Sequence, residues 1–255
     1  MCLILAAWRI HPVFPLVIAA NRDEFFARPT RSAGFWPESP DMLAGRDLSA
    51  GGTWLGISRN GRFAALTNYR DPQSHDPSAP SRGSLVTGFL QGNQSSQAYL
   101  AEVAGNGAKF NGFNLLVCDG RELACYNNVE QRTEVLEPGI HGLSNHLLNT
   151  SWPKVTTAKN QMQDALSHLP DSEGLFRFLE DDSIAADEVL PSTGVSLEQE
   201  RRLSAIFVRG PAYGTRNSTV LLAASDGHIV FDEREWKENG SSGNRQRFSF
   251  YGSKQ

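Results

Sequence analysis

Met1-Cys2-Leu3-Ile4-Leu5-Ala6-Ala7-Trp8 and Leu16-Val17-Ile18-Ala19-Ala20-Asn21-Arg22-Asp23-Glu24 are two short apolar runs on either side of a segment holding Pro12 and Pro15. Runs of this length around a proline-marked connection read as a pair of strands. The first run carries a thiol near its start. The second ends in an amide, an arginine and two carboxylates. A strand pair with these groups gathered at one end is a candidate catalytic arrangement, and the rest of the chain reads as the frame around it.

Outward from this pair, turn chemistry marks three hairpins. Asn60-Gly61 separates Gly51–Ser58 from Arg62–Asn68, Asp119-Gly120 separates Phe113–Cys118 from Glu122–Tyr126, and Asp226-Gly227 separates Val220–Ala224 from Ile229–Phe231. Asn-Gly and Asp-Gly between apolar runs favour the positive φ values of tight hairpin turns. Phe25 to Ser49, with Pro29, Pro37 and Pro40, is expected to be irregular, its Phe35 and Trp36 folding back as a lid or edge. Helical patterns are expected over Ser84–Leu90, Ser95–Val103, Glu173–Leu179 and, opened by Pro153 in the first turn, as far as Leu169. Asp181 to Pro191 reads as an acidic surface loop. The Gly/Ser-rich segment 239–247 is expected to be mobile, and Phe248–Tyr251 to add an edge strand. Early hairpins, central helices and late strands predict an α+β protein with antiparallel sheets covered by helices, in one domain over 1–255.

Bulk composition narrows the function. The 255 residues are 40% hydrophobic and 20% charged, with 24 basic against 28 acidic side chains and a net charge of -4. Nucleic acids and anionic membranes are collected by basic fields, so neither is an expected partner. No apolar run approaches the roughly 18 residues of a membrane span. The N-terminus lacks the pattern of a secretory signal. Three cysteines, Cys2, Cys118 and Cys125, suit a reducing compartment better than a disulfide framework, and a cytoplasmic protein is expected.

The residues themselves suggest cysteine chemistry. Cys2 is small enough for an aminopeptidase to remove Met1, which would leave a thiol and a free α-amine on one residue. An α-amine with a pKa of about 7.7–8.0 is a usable base near neutrality. Alternatively, Cys2 is a small apolar residue opening a buried strand. In an extended segment Asn21 and Asp23 face one way and Arg22 and Glu24 the other, so one set can lie beside Cys2. Asn68 and Asn145 are candidate oxyanion donors, with turn chemistry as the competing role. His141 and His146, five apart, and Cys118 and Cys125, across a hairpin, do not match metal-ligand spacing, and no metal is expected.

Asn21-Arg22-Asp23-Glu24 spells the signature of the NRDE family, whose eukaryotic members are the transport and Golgi organisation type proteins. Further blocks of this chain resemble that family: Leu43-Ala44-Gly45-Arg46-Asp47, Gly51-Gly52-Thr53-Trp54-Leu55-Gly56, Thr67-Asn68-Tyr69-Arg70, Gly142-Leu143-Ser144-Asn145, Trp152-Pro153-Lys154-Val155 and Tyr213-Gly214-Thr215-Arg216. The resemblance implies a four-layer αββα sandwich similar to the N-terminal-nucleophile hydrolases. By analogy with the amide-cleaving members of that superfamily, Cys2 is nucleophile and base, Arg22 and Asp23 tune it, Asn68 and Asn145 are oxyanion candidates, and Arg216 joins the catalytic set. In those amidases the arginine and aspartate are not adjacent. Here they are, so both reach Cys2 only if the strand has ended or bulged.

Two functions follow from the resemblance. One is binding or trafficking of haem or a lipid or acyl-CoA ligand, with haem as a bound ligand and no required cofactor. Asn21, Arg22, Asp23, Glu24, Arg46 and Arg70 are then the ligand-binding set, Arg28 adds a cation for phosphates, and Phe25, Phe26, Phe35 and Trp36 line an apolar tail site. The other is a Cys2-dependent hydrolase of a small amide or thioester.

Overall fold

A computed structural model describes residues 2–253. Thirteen strands and five α-helices are defined among them, in the order β1 (Cys2–Trp8), β2 (Leu16–Phe25), β3 (Thr30–Trp36), β4 (Ser39–Asp47), β5 (Leu55–Ser58), β6 (Phe63–Asn68), α1 (Gly83–Gln91), α2 (Ser96–Asn106), β7 (Phe113–Cys118), β8 (Leu123–Asn127), β9 (Arg132–Val135), β10 (Gly139–Leu143), α3 (Pro153–Leu166), α4 (Glu173–Leu179), α5 (Leu197–Leu203), β11 (Tyr213–Ala223), β12 (His228–Trp236) and β13 (Ser242–Tyr251). They form two antiparallel sheets, one ordered β10-β1-β2-β11-β12-β13 and one ordered β3-β4-β5-β6-β7-β8-β9.

β1 is apolar throughout because both its faces are covered. Ile4, Ala6 and Trp8 face the second sheet and share a core with Leu43, Ile57, Phe63 and Leu116. Leu3, Leu5 and Ala7 face the other way, onto Val155, Met162, Phe176 and Leu179 of α3 and α4. The seven-stranded sheet buries its own outer face, including Ala64, Leu66 and Val117, under Val86, Phe89 and Leu100 of α1 and α2. The layering is therefore αββα, as the resemblance implied. The two-residue period of a strand turned into two different cores is what stacks the layers.

The expected elements are present with shifted ends: α3 stops at Leu166, ahead of Pro170, β5 begins only at Leu55, and β11 and β12 run well beyond their expected apolar cores, over Tyr213–Ala223 and His228–Trp236. Two regions differ in kind. Phe25–Ser49 is not irregular: it holds β3 and β4, paired from Thr30↔Asp47 to Trp36↔Ser39. Its prolines sit just before β3, in the turn, and at the outer end of β4, where a missing N–H costs little. Phe35 and Trp36 are packing residues. Phe35 lies edge-on to Phe248 and Phe250, and Trp36 donates its indole N–H to the Ala44 carbonyl at 3.1 Å. The 239–247 segment, expected to be mobile, turns at Gly240 and enters β13, which pairs with β12 from Trp236↔Ser242 to His228↔Tyr251. Gly and Ser composition concealed a strand whose hydrogen bonds come from its neighbour. The short strands β9 and β10 were also missed, as was α5, although Ser196 and Gln199 form a reciprocal capping box at its start.

Candidate functional site

The site lies at the end of the sheets where β1 begins. Antiparallel pairing sets Cys2 opposite Arg22, and Arg22 opposite Asn217 of β11. The β2–β11 register slips between Thr215 and Asn217, so Arg216 is an extra residue on β11. Bulges of this kind re-aim side chains. Here Asn217 stands in the row of Cys2 and Arg22, and Arg216 is turned aside to donate to the Phe25 and Arg28 carbonyls at 3.1 and 2.7 Å.

This row forms the floor of a cleft of about 460 Å³, whose lining also includes Asp23, Glu24, Asn68, Glu233 and the 75–83 segment leading into α1. Gly52 and Gly83 make that wall feasible: a Cβ on Gly52 would come within 2.6 Å of the Gly83 carbonyl carbon. The close backbone approach brings Arg82 and the start of α1 to the cleft.

Cys2 is 9% exposed and lines this cleft. Burial pushes its thiol pKa up and the Asp23 charge adds to this, against the opposing effects of Arg22 and of the Asp23 backbone N–H. Near neutrality the group is a thiol, so nucleophilic use needs a base. Removal of Met1, which would supply the α-amine, lies outside the described residues. Cys118 and Cys125 are free cysteines in the core whose pKa values burial pushes up to about 12, which leaves them inert.

Arg22 donates to Thr30 Oγ1 at 3.2 Å and lies 3.8 Å from Glu24. Asp23 is turned toward the helix layer. Its Oδ1 accepts from Thr215 Oγ1 at 2.7 Å, and its backbone carbonyl accepts from the Tyr213 hydroxyl at 3.0 Å. Burial raises the Asp23 pKa, offset by Lys154, Thr215 and Arg70. Adjacent Arg22 and Asp23 thus both reach the Cys2 end of the sheet, from opposite faces. Lys154, at the start of α3, is only 3% exposed, and its Nζ makes no hydrogen bond among the described residues. Burial brings its pKa down to about 8, against the attraction of Asp23.

Several expected site residues stand elsewhere. Asn21 faces the helices, donating to the Leu179 and Ile206 carbonyls at 2.7 and 2.9 Å and accepting from Ser218 Oγ at 2.6 Å. Its amide clasps the ends of two covering segments to the sheet and does not line the cleft. Arg70 is buried behind the site, bonded to Glu200 at 2.8 Å and lying 4.8 Å from the Trp152 ring centroid. The Asn145 amide donates to the Asn68 carbonyl at 2.9 Å, which holds the backbone of Asn68 and leaves Asn68 as the asparagine of that pair facing the cleft. Arg46 lines the cleft but is engaged by Glu38 and by the Trp36 ring. Arg28 is matched by Asp47, at 2.6 Å. Phe25, Phe26, Phe35 and Trp36 do not form an apolar tail site in this cleft.

Sequence reasoning missed Asn217, Glu233, Arg82 and Lys154. Lys154 lies in Trp152-Pro153-Lys154-Val155, a stretch legible as a motif but not as a position, and Arg82 is brought to the cleft by the close approach of Gly52 and Gly83. Asn217 required the bulge, and Glu233 required the β11–β12 register. Among the described residues, no group of three or more His, Cys, Asp or Glu side chains is arranged to hold a metal ion.

An αββα sandwich with a cysteine at the floor of a charged cleft defines the class of protein. The chain belongs to the Transport and Golgi organisation 2 family, which matches residues 1–238. It is 39% identical over 256 residues to the bovine (Bos taurus) Transport and Golgi organization protein 2 homolog, covering 92% of both chains. It is 38% identical over 264 residues to the human homolog, covering 95% of each. Among solved structures it resembles a mutant conjugated bile acid hydrolase from Clostridium perfringens, with a TM-score of 0.45 and 11% identity over 98% of this chain and 92% of that one.

Proposed function

We propose that the cleft binds an anionic acyl ligand of the acyl-CoA class, and that holding or carrying this ligand is the protein's role. The observation that carries the reading is a pair of cleft arginines, Arg31 and Arg82, that form no salt bridge among the described residues, with Glu38 and Glu24 acting on them only at longer range. Cations beside acids serve the fold, whereas cations left unmatched in a concave site favour a phosphate or carboxylate. Arg82 spends one hydrogen bond on the Gly112 carbonyl at 2.9 Å, which fixes its guanidinium. Haem suits the cleft less well. Its propionates could use the same arginines, but the porphyrin face needs apolar walls, and Trp54 and Leu66 are the large apolar side chains of the lining. Three unpaired cysteines support a cytoplasmic setting, and among the described residues no helix is long and apolar enough to cross a membrane.

The placement of Cys2 favours a second reading, hydrolysis of a small amide or thioester. The sulfur would attack the acyl carbon, forming a C–S bond as the amine or thiol leaves with a proton. Water would then release the acid and restore the thiol. Titration calorimetry with decanoyl-CoA, CoA and haem, alongside a thiol-release assay on decanoyl-CoA, separates the readings. Arg82→Ala is expected to weaken decanoyl-CoA binding roughly tenfold, about 1.4 kcal/mol, at an unchanged unfolding midpoint. Absence of saturable CoA or decanoyl-CoA binding overturns the first reading. Thiol release that disappears in Cys2→Ala moves the protein to the second.

A further inference from the structure

We propose that Asn217 and Glu233 form a subsite for a neutral hydrogen-bonding group of the ligand, a secondary or primary amide or a hydroxyl, that begins at Asn217, about 10 Å along the cleft floor from Cys2, and extends one strand further to Glu233. The distance follows from the pairing. Cys2, Arg22 and Asn217 occupy one row across β1, β2 and β11, and two strand spacings come to about 10 Å. Glu233 is opposite Thr219 on β12, while Asn217 is opposite Glu235. Asn217 and Glu233 are therefore diagonal neighbours about 7–8 Å apart, a span that one small polar group can bridge.

Both side chains are built into the protein rather than left at its surface. Asn217 is 5% exposed and Glu233 3% exposed, and both line the cleft. The Asn217 amide makes no side-chain hydrogen bond among the described residues, and its polar atoms open to the cleft rather than being buried without a partner. Glu233 uses Oε1 to accept the Ala33 N–H at 2.7 Å, which anchors the carboxyl. An amide that the fold holds in place, leaves unbonded and opens to a cavity is available to bond a polar group that enters the cavity. The chemistry of the pair selects the entrant. A carboxamide both donates and accepts, and the remaining Glu233 oxygen accepts when ionised, so an amide or hydroxyl is complemented while a carboxylate faces an acidic side chain. The ligand's anionic group then belongs at the opposite wall, with Arg82.

This subsite rests on the cleft and the Cys2 position, not on the acyl-CoA reading, and is tested without that ligand. Cys2 is the cysteine that opens to the cleft, so iodoacetyl probes attached there place a tail along its floor. Iodoacetyl-β-alaninamide carries a terminal amide at about the required reach, and the methyl ester of iodoacetyl-β-alanine carries an ester that cannot donate. Saturation kinetics of Cys2 alkylation, followed by intact mass, give the inhibition constant of each probe. The amide probe is expected to bind about five- to tenfold more tightly than the ester in the wild type. Asn217→Leu is expected to remove that preference while leaving the maximal alkylation rate within about twofold, with Asn217→Gln, which keeps the carboxamide, restoring part of it. Equal constants for the two probes in the wild type, or a preference retained in Asn217→Leu, overturn the proposal. Decanoyl-CoA binding by either variant reports on the other reading alone.

Discussion

Replacing Glu233 by Gln should make the protein more stable at alkaline pH, by an amount that the structure sets. Glu233 lines the cleft floor, and burial pushes its pKa from an ordinary 4.5 up to about 7. The Ala33 N–H and Arg22 work against the rise, and Glu235 adds to it. Below pH 4.5 the carboxyl is protonated in both the folded and the unfolded chain, and no difference arises. Between 4.5 and about 7 the folded protein holds a proton that the unfolded chain has released. Stability therefore falls as pH rises through this window and levels off above it. A displacement from 4.5 to about 7 corresponds to about 3 kcal/mol, of which roughly 2.5 kcal/mol is lost between about pH 5 and pH 8. Gln keeps an oxygen for the Ala33 N–H and carries no charge. Urea unfolding of both proteins across this range should show the wild type losing about 2.5 kcal/mol relative to the variant. A difference between the two that is flat with pH would refute the claim that burial raises the Glu233 pKa to about 7.

Two further substitutions test the structural roles assigned to residues around the cleft. Asn21→Ala leaves the Leu179 and Ile206 carbonyls and the Ser218 hydroxyl without their buried partner, and should cost about 2–4 kcal/mol in denaturant unfolding. The same effect on ligand binding at full folding, with little loss of stability, would instead make Asn21 a ligand residue. Arg70→Ala strands Glu200 in the interior and should cost about 3–5 kcal/mol, with an unchanged ligand dissociation constant measured on the folded fraction.

What could be read from the chain was whatever is local or periodic. Asn60-Gly61, Asp119-Gly120 and Asp226-Gly227 named their hairpins because a tight turn is a property of its own two residues. The strands β1 and β2 followed from their short continuous apolar runs around Pro12 and Pro15, and four helices from periodic apolar patterns opened by Ser or Pro, while Cys2 and the Asn21–Glu24 cluster marked the end of the sheet where the candidate site lies. The strands of 25–49 and 242–251 escaped because their pairing energy comes from neighbours, and proline, glycine and serine content argued against them.

The site was legible as a neighbourhood, not as an arrangement. Alternation correctly divides Arg22 from Asp23, but only the packing shows that one reaches Cys2 across the floor and the other from the helix layer. One inserted residue at the Thr215/Asn217 step exchanges Arg216 for Asn217, and the β11–β12 register brings Glu233 to the lining of the same cleft. Residues 2, 22, 217 and 233 share one cleft because two strand pairs distant in sequence, β1–β2 and β11–β12, lie side by side. Sequence determines the period of each strand, whereas register and bulge position are settled by the pairing of whole sheets, and a slip of one residue turns a side chain to the opposite face.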